Sequence, residues 1–327
     1  MNSFGRVFRV QIFGESHGES VGILIDGCPP GIRVVEEDFL KDLMRRKSGD
    51  IGTTTRMESD KPTIKSGIFN EFTSGAPILI EFKNDNTRPT DYDEIKIKPR
   101  PGHADFTSFN KYMGFNDYRG GGHFSGRLTV GLVAAGVIAK KLLHPVTISA
   151  ELIEAGGSNN IDEAVKNAIK IGDSIGGIIE CRVTNVPISQ GEPFFDSVES
   201  QISHIIFSVP AVKGIEFGAG FASARMFGSE HNDELISISG KTRSNHSGGI
   251  NGGLSNGNDI VFRVAVKPAS SIAKIQNTIN ITSGKPEKLK ITGRHDSCIA
   301  LRAPVVIESV TAIALADFKL LDKSFRY

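Results

Sequence analysis

Asp117-Tyr118-Arg119-Gly120-Gly121-Gly122-His123-Phe124-Ser125-Gly126-Arg127 runs directly into an uncharged segment, residues 128–139. Three consecutive glycines remove the Cβ atoms that keep backbone N–H groups away from a ligand, and they permit positive φ where the chain turns. Ser125 is placed to cap the helix that follows, whose first N–H groups and dipole favour negative charge. Arg127 adds a planar fork of donors suited to phosphate or carboxylate. Two readings stay open on this stretch alone: an anion pocket feeding a buried helix, or a glycine-rich turn before a core helix that binds nothing. Under both, residues 128–139 are too short for the ~20-residue span of a bilayer. They read as a core helix with Lys140 and Lys141 at its cationic end.

Outward from that helix, strand and helix patterns fail to alternate regularly. Apolar–polar alternation marks strands over 6–13, 21–25, 64–69, 78–82, 146–153, 178–186 and 259–266. Helical spacing marks 36–46, 160–171 and 195–207, the last with Asp196 as cap and Glu199 three residues on. A long buried helix is expected over 304–321, with Pro304 in its first turn and Glu308 nearly alone among apolar residues. The order predicts an α+β fold, antiparallel sheets packed on long apolar helices, rather than a doubly wound parallel sheet. No dinucleotide fingerprint or nucleotide P-loop is present: Gly120-x-Gly122 is followed by Ser125 where a third glycine belongs, and no Gly-Lys-Ser or Gly-Lys-Thr occurs.

Composition narrows the function. With 327 residues, 39% apolar and 23% charged, the chain is long enough for a large core. Thirty-eight basic against 37 acidic side chains leave +1, so no general field attracts nucleic acid or an anionic membrane. Its basic clusters must therefore be site-specific. Cys28, Cys181 and Cys298 are odd in number and far apart, unlike a zinc or disulfide framework, which suits a reducing cytoplasm. The N-terminus lacks the apolar core of a signal peptide.

Several short segments carry candidate chemistry. His17 stands at a strand end in Gly14-Glu15-Ser16-His17-Gly18, and Arg100-Pro101-Gly102-His103-Ala104-Asp105 forms a stiff turn presenting His103. Arg45 and Arg46 end a helix beside a glycine- and threonine-rich loop, 48–56, expected to be exposed and mobile and to carry Arg56. Lys267-Pro268-Ala269-Ser270-Ser271 offers one cation, two hydroxyls and a rigid bend. Residues 84–98 read as polar and peripheral, and 285–290 as a solvated strand edge.

Gly14-Glu15-Ser16-His17-Gly18, Arg100-Pro101-Gly102-His103-Ala104-Asp105, Tyr118-Arg119-Gly120-Gly121-Gly122, Ser244-Asn245-His246-Ser247-Gly248-Gly249 and Gly293-Arg294-His295-Asp296-Ser297-Cys298 occur in the order of one family, and from end to end the chain resembles chorismate synthase. The resemblance implies anti 1,4-elimination of phosphate from 5-enolpyruvylshikimate 3-phosphate, with reduced FMN as an unconsumed cofactor. It implies a β-α-β sandwich of two antiparallel sheets enclosing long helices, one domain over 1–327, and a homotetramer. By resemblance His103 protonates the departing phosphate, His17 stabilises the anionic reduced flavin, and Asp296 tunes the flavin N5 that removes the C6 proton. Ser16, Arg45, Arg46, Arg56, Arg100 and Arg127 are the implied substrate contacts. The implied flavin contacts are His123, Phe124 and Ser125, then Ala211, Gly252, Lys267, Pro268, Ala269, Ser270, Ser271 and Arg294.

Four positions depart from the commoner family pattern. His123 and Phe124 replace Arg and Ser, Pro210 replaces a frequent asparagine, and Gly52 stands where another arginine is common. The chain has no spare length for a flavin reductase module, so a separate, NADPH-linked electron source is expected. A flavin oxidoreductase and a non-enzymatic polyanion-binding protein are the rival readings. The first predicts stoichiometric electron consumption, the second an affinity that falls steeply with salt.

Overall fold

Period-two alternation builds the first sheet. The computed structural model describes residues 2–291 and 295–325. In it, strands Ser3–Phe4, Arg9–Gly14, Ser20–Asp26, Ile78–Lys83 and Thr63–Ile64 lie side by side in that order, every pair antiparallel. Val21 opposes Phe82, Ile23 opposes Ile80 and Ile25 opposes Ile78. All six are fully buried, so one face of the sheet is a continuous apolar layer.

A second antiparallel sheet takes the order Val212–Phe217, Ile260–Val266, Gly177–Thr184, Thr147–Ala155. Its inner face carries Phe262 opposite Cys181 and Ile260 opposite Val183. Three two-stranded ribbons complete the strands, among them Gln276–Ile279 paired with Pro286–Leu289, the edge expected near 285–290. The fold is α+β with several antiparallel sheets, as the irregular order of elements predicts.

The uncharged segment forms the helix Thr129–Leu143, buried on all sides from Thr129 to Ala139. It packs against Ser20–Asp26 and Ile78–Lys83 on one side and against the C-terminal helix Pro304–Phe325 on the other. That second helix packs in turn on Thr147–Ala155 and Gly177–Thr184. The two helices meet at Gly136, where an added Cβ would lie 2.3 Å from the Ser309 Cβ. Only glycine allows that approach. One buried cluster of side chains runs through both sheets and both helices.

One expectation fails locally. The 195–207 segment begins with a 3-10 turn, Phe194–Asp196, and the helix proper is Val198–Ile206, capped by Ser197, whose Oγ accepts the Ser200 N–H. Asp196 instead pairs with Arg6 and accepts from Gln201. The last helix also carries Asp317, 3% exposed, which accepts the backbone N–H groups of Arg6, Val7 and Phe8 and ties the N-terminal strand to the core.

Candidate active site

The triple glycine is a turn rather than a helix, with φ of 58°, 80° and 52° at Gly120, Gly121 and Gly122. What requires glycine there is the approach of two histidines. A Cβ on Gly120 would lie 2.3 Å from His17 Nδ1 and 2.8 Å from Ser16 Oγ. One on Gly121 would lie 3.1 Å from His103 Cε1. The Ser16 N–H donates to the Gly122 carbonyl at 3.1 Å, stitching the first glycine-framed histidine to the opening motif. Ser125 caps the single 3-10 turn Gly126–Leu128 that precedes the long helix, its Oγ accepting the Arg127 N–H at 3.3 Å.

These elements enclose a cavity of about 720 Å³, room for two small molecules in contact. Its wall brings together His103, Asp296, Arg46, Arg56, Arg100 and Arg127, joined by His123, Phe124 and Ser125 and by Ala211 and the whole 267–271 segment. Ser16 and His17 stand directly behind. The Ser16 Oγ and carbonyl oxygen accept from Arg56 Nη1 and Nη2 at 2.9 and 3.0 Å, and His17 packs edge-on against Tyr92 with ring centroids 4.9 Å apart.

Each cavity arginine leans on a carboxylate. Arg56 pairs with Glu58 at 2.6 Å, Arg100 with Asp105 at 2.8 Å, and Arg46 with Asp60 at 2.6 Å; Arg127 bonds the second oxygen of Asp60. Burial favours the neutral acid at Asp105, but hydrogen bonds from Arg100 and His103 outweigh it and hold the carboxyl far below its ordinary range. His103 Nδ1 lies 2.6 Å from Asp105 Oδ1. That contact favours a proton on Nδ1, and Arg100 Nη2 lies against the same ring, 3.0 Å from Nδ1 and 3.2 Å from Nε2. Arg100 Nη1 donates to Ser271 Oγ at 3.0 Å, and Lys267 bonds the Gly102 carbonyl, so the His103 turn is fastened to the 267–271 segment.

Asp296 is fixed from two sides: Arg302 Nη2 donates to Oδ2 at 2.7 Å and the Thr54 N–H to Oδ1 at 3.0 Å. The 48–56 loop is thus bonded into the wall, with Ser297 and Cys298 N–H groups also donating to the Gly52 carbonyl. A side chain at Gly52, where φ is 93°, would strike Val165, its Cβ lying 2.4 Å from Cγ1.

Burial lowers the His17 pKa to about 4, the Arg56 charge adding to the effect, and burial with the Arg100 charge does the same to His295, another wall residue. Both rings are neutral at pH 7. Among the described residues, five buried side-chain polar atoms lack a hydrogen-bond partner. Four of them, His17 Nδ1, Arg46 Nε, His295 Nε2 and Arg302 Nε, belong to residues in this wall or directly behind it. Unpaired buried polar atoms cost roughly 1–3 kcal/mol each unless water or a ligand meets them, and among the described residues they concentrate here.

Two expected contacts fall elsewhere, and a third is not among the described residues. Arg45 does not line the cavity: its Nη1 and Nη2 both donate to Glu308 at 2.7 Å, in a cluster where Lys140 also bonds Glu308. A helix turns about 100° per residue, so Arg45 and Arg46 necessarily face different neighbours. Gly252 sits at the tip of the hairpin Ile250–Asn251 and Leu254–Ser255, with open space around it, and does not line the cavity. Arg294 lies outside the described residues.

Other wall residues escaped the sequence. Tyr92 and Asn84 belong to the stretch read as peripheral, yet Tyr92 lines the cavity and Asn84 Oδ1 accepts from Arg127 Nε at 3.0 Å. Arg302 and Asp60 carried no signal at all: Arg302 is a lone charge among apolar residues, and Asp60, between Glu58 and Lys61, reads as part of a solvated loop.

Comparison with known proteins now bears on this arrangement. A family model described as chorismate synthase matches residues 8–320. The chain is 62% identical over 324 residues to a chorismate synthase of Chitinophaga pinensis, covering 99% of this chain and 98% of that protein. It is 45% identical to one of Dehalococcoides mccartyi, covering 98% of this chain and 96% of that protein. A solved structure described as "Crystal Structure of Chorismate Synthase" superposes with a TM-score of 0.74 at 24% identity, covering 98% of this chain and 93% of that one, and so shares the fold.

Proposed function

The chain belongs to the chorismate synthase family, and from that premise we propose that the cavity walled by His103, Asp296 and the carboxylate-backed arginines is where its reaction takes place. The protein is a lyase of the shikimate pathway: it eliminates phosphate in the anti 1,4 sense from 5-enolpyruvylshikimate 3-phosphate to give chorismate. The observation that carries the site is convergence. Side chains from Arg46 to Asp296, 250 positions apart in sequence, face one enclosed space.

The substrate bears a phosphate and two carboxylates, and the arginines bind and orient it through charge-assisted hydrogen bonds. His103 delivers a proton to the phosphate oxygen as it departs, with Asp105 and Arg100 holding the ring's orientation. By resemblance His17, neutral and behind the Gly120 turn, would stabilise the anionic reduced flavin. The resemblance implies reduced FMN as cofactor, and the wall suits it. Val209, Pro210, Ala211 and Ile299 give an apolar surface beside Lys267 and Ser270, a combination fitted to a ring system with a phosphate tail. His123, Phe124, Ser125, Ala211, Lys267, Pro268, Ala269, Ser270 and Ser271 would hold it, with Arg294 added from the family motif. Bound there, reduced FMN supplies the base that takes the C6 proton and lends electron density to C–O cleavage, without net redox change.

Around that site we read a β-α-β sandwich forming one domain over 1–327, supported by two helices packed between sheets and by a single connected core. A homotetramer, a separate NADPH-linked flavin reductase and a cytoplasmic location complete the reading. Free, buried Cys28, Cys181 and Cys298 agree with a reducing compartment. No helix among the described residues is long and apolar enough to cross a membrane. The test is an anaerobic assay with catalytic dithionite-reduced FMN: phosphate release equal to chorismate formed supports the elimination, and electron consumption in step with product refutes it.

A further inference from the structure

Asp60 is the most confined ionised side chain at the site, and the family motifs do not include it. It follows the 48–56 loop at a left-handed φ of 50°, which aspartate tolerates better than most residues. Its side chain is 1% exposed, and each carboxylate oxygen serves a different arginine: Oδ2 accepts from Arg46 Nη2 at 2.6 Å, Oδ1 from Arg127 Nη1. Arginine and carboxylate ordinarily pair fork to fork, both oxygens on one guanidinium. Here one carboxylate is shared, so it sets the distance and direction between two guanidinium groups that arrive from separate elements, the end of helix Glu37–Arg46 and the turn Gly126–Leu128.

The sharing also leaves charge over. Two buried guanidinium groups face one carboxylate, a surplus of one positive charge in a wall that burial makes unfavourable for it. Burial opposes ionisation of Asp60, yet Arg46 and Arg127 outweigh it and hold the carboxyl below its ordinary value. Burial, with the charges of Arg302 and Arg127, pulls Arg46 below the usual arginine value. The two arginines differ in support. Arg127 is also held by Asn84 Oδ1 and the Lys83 carbonyl, each at 3.0 Å, whereas Asp60 is the only hydrogen-bond partner of the Arg46 side chain among the described residues.

We propose that Asp60 is a positioning residue: a single carboxylate that sets the spacing of Arg46 and Arg127 so that they meet an anionic group of the substrate as one unit. The proposal rests on the elimination reading above, and its test separates the two. Calorimetric titration of flavin-free protein with 5-enolpyruvylshikimate 3-phosphate is run on the wild type and on Asp60→Asn, which keeps the shape and the tolerated backbone angle. Steady-state KM and kcat are measured beside it.

The variant is expected to melt within a few degrees of the wild type, to bind about tenfold or more weakly, and to raise KM more than it lowers kcat. A folded Asp60→Asn protein with wild-type affinity overturns the role of Asp60 alone. A wild type that neither binds nor converts the ester overturns the functional reading, and the role of Asp60 falls with it. Should Asp60→Asn fail to fold, Arg46→Lys, Arg127→Lys and the double variant decide. A unit held by one carboxylate gives a double loss differing by about threefold or more from the product of the single losses, and losses that simply multiply overturn the proposal.

Discussion

At the scale of single residues, the two glycine-framed histidines come out chemically unlike. His103 keeps a partly open edge beside Asp105, while His17 is 7% exposed and has its pKa lowered to about 4 by burial and then by Arg56. Replacing His103 by alanine should leave flavin binding intact and cut turnover by about 10²- to 10⁴-fold, the usual weight of a positioned proton donor. A near-normal rate in single-turnover chorismate absorbance would remove it from that role. His17 predicts a stability effect instead. Its ordinary pKa of 6.5 falls to about 4 on folding, so the unfolded chain binds more protons between those values and stability declines as pH drops through that window. His17→Asn should therefore flatten the fall in melting temperature between pH 6.5 and pH 4, and an unchanged slope contradicts the neutral, buried ring. The sequence made both histidines visible through their glycine neighbours. It could not rank them, because burial and the choice of neighbouring charge belong to the folded chain.

At the scale of elements, adjacent arginines at one helix end divide between two tasks. Arg45 braces Glu308, which is 3% exposed and also accepts from Lys140 and the Ala150 N–H, and Arg46 faces the cavity. Arg45→Met should cost about 1–3 kcal/mol of stability and leave KM within about twofold, because it removes hydrogen bonds to a buried charge and no ligand contact. Arg46→Met should raise KM about tenfold or more; equal KM effects in the two variants would contradict the division. The contact between the two long helices makes its own prediction. Gly136→Val places branched carbon where a Cβ already lies 2.3 Å from Ser309, so it should destabilise by roughly 1–3 kcal/mol or more and lower the melting temperature by several degrees. Both helices were legible as apolar runs. Their mutual approach was not, since a glycine in an apolar run reads alike whether it faces a helix or a sheet.

At the scale of the whole molecule, large apolar side chains remain uncovered on one chain. Phe194, Phe195, Phe221 and Phe227 are each at least 76% exposed. Light scattering is expected to give about four times the 35.2 kDa chain mass, and a monomer at micromolar concentration would argue against the tetramer. The ordered motifs, the strand alternation and the uncharged helix determined the family, the α+β class and most of the residues that meet at the cavity. These are properties of spacing and side-chain type, which a linear chain carries openly. Only the tertiary structure decided that Arg45 serves the core, that Tyr92, Asn84 and Arg302 belong to the site, and that Asp60 joins two arginines. Each of those assignments depends on which distant group lies within about 3 Å, the range over which hydrogen bonds and ion pairs act, and sequence separation says nothing about that distance.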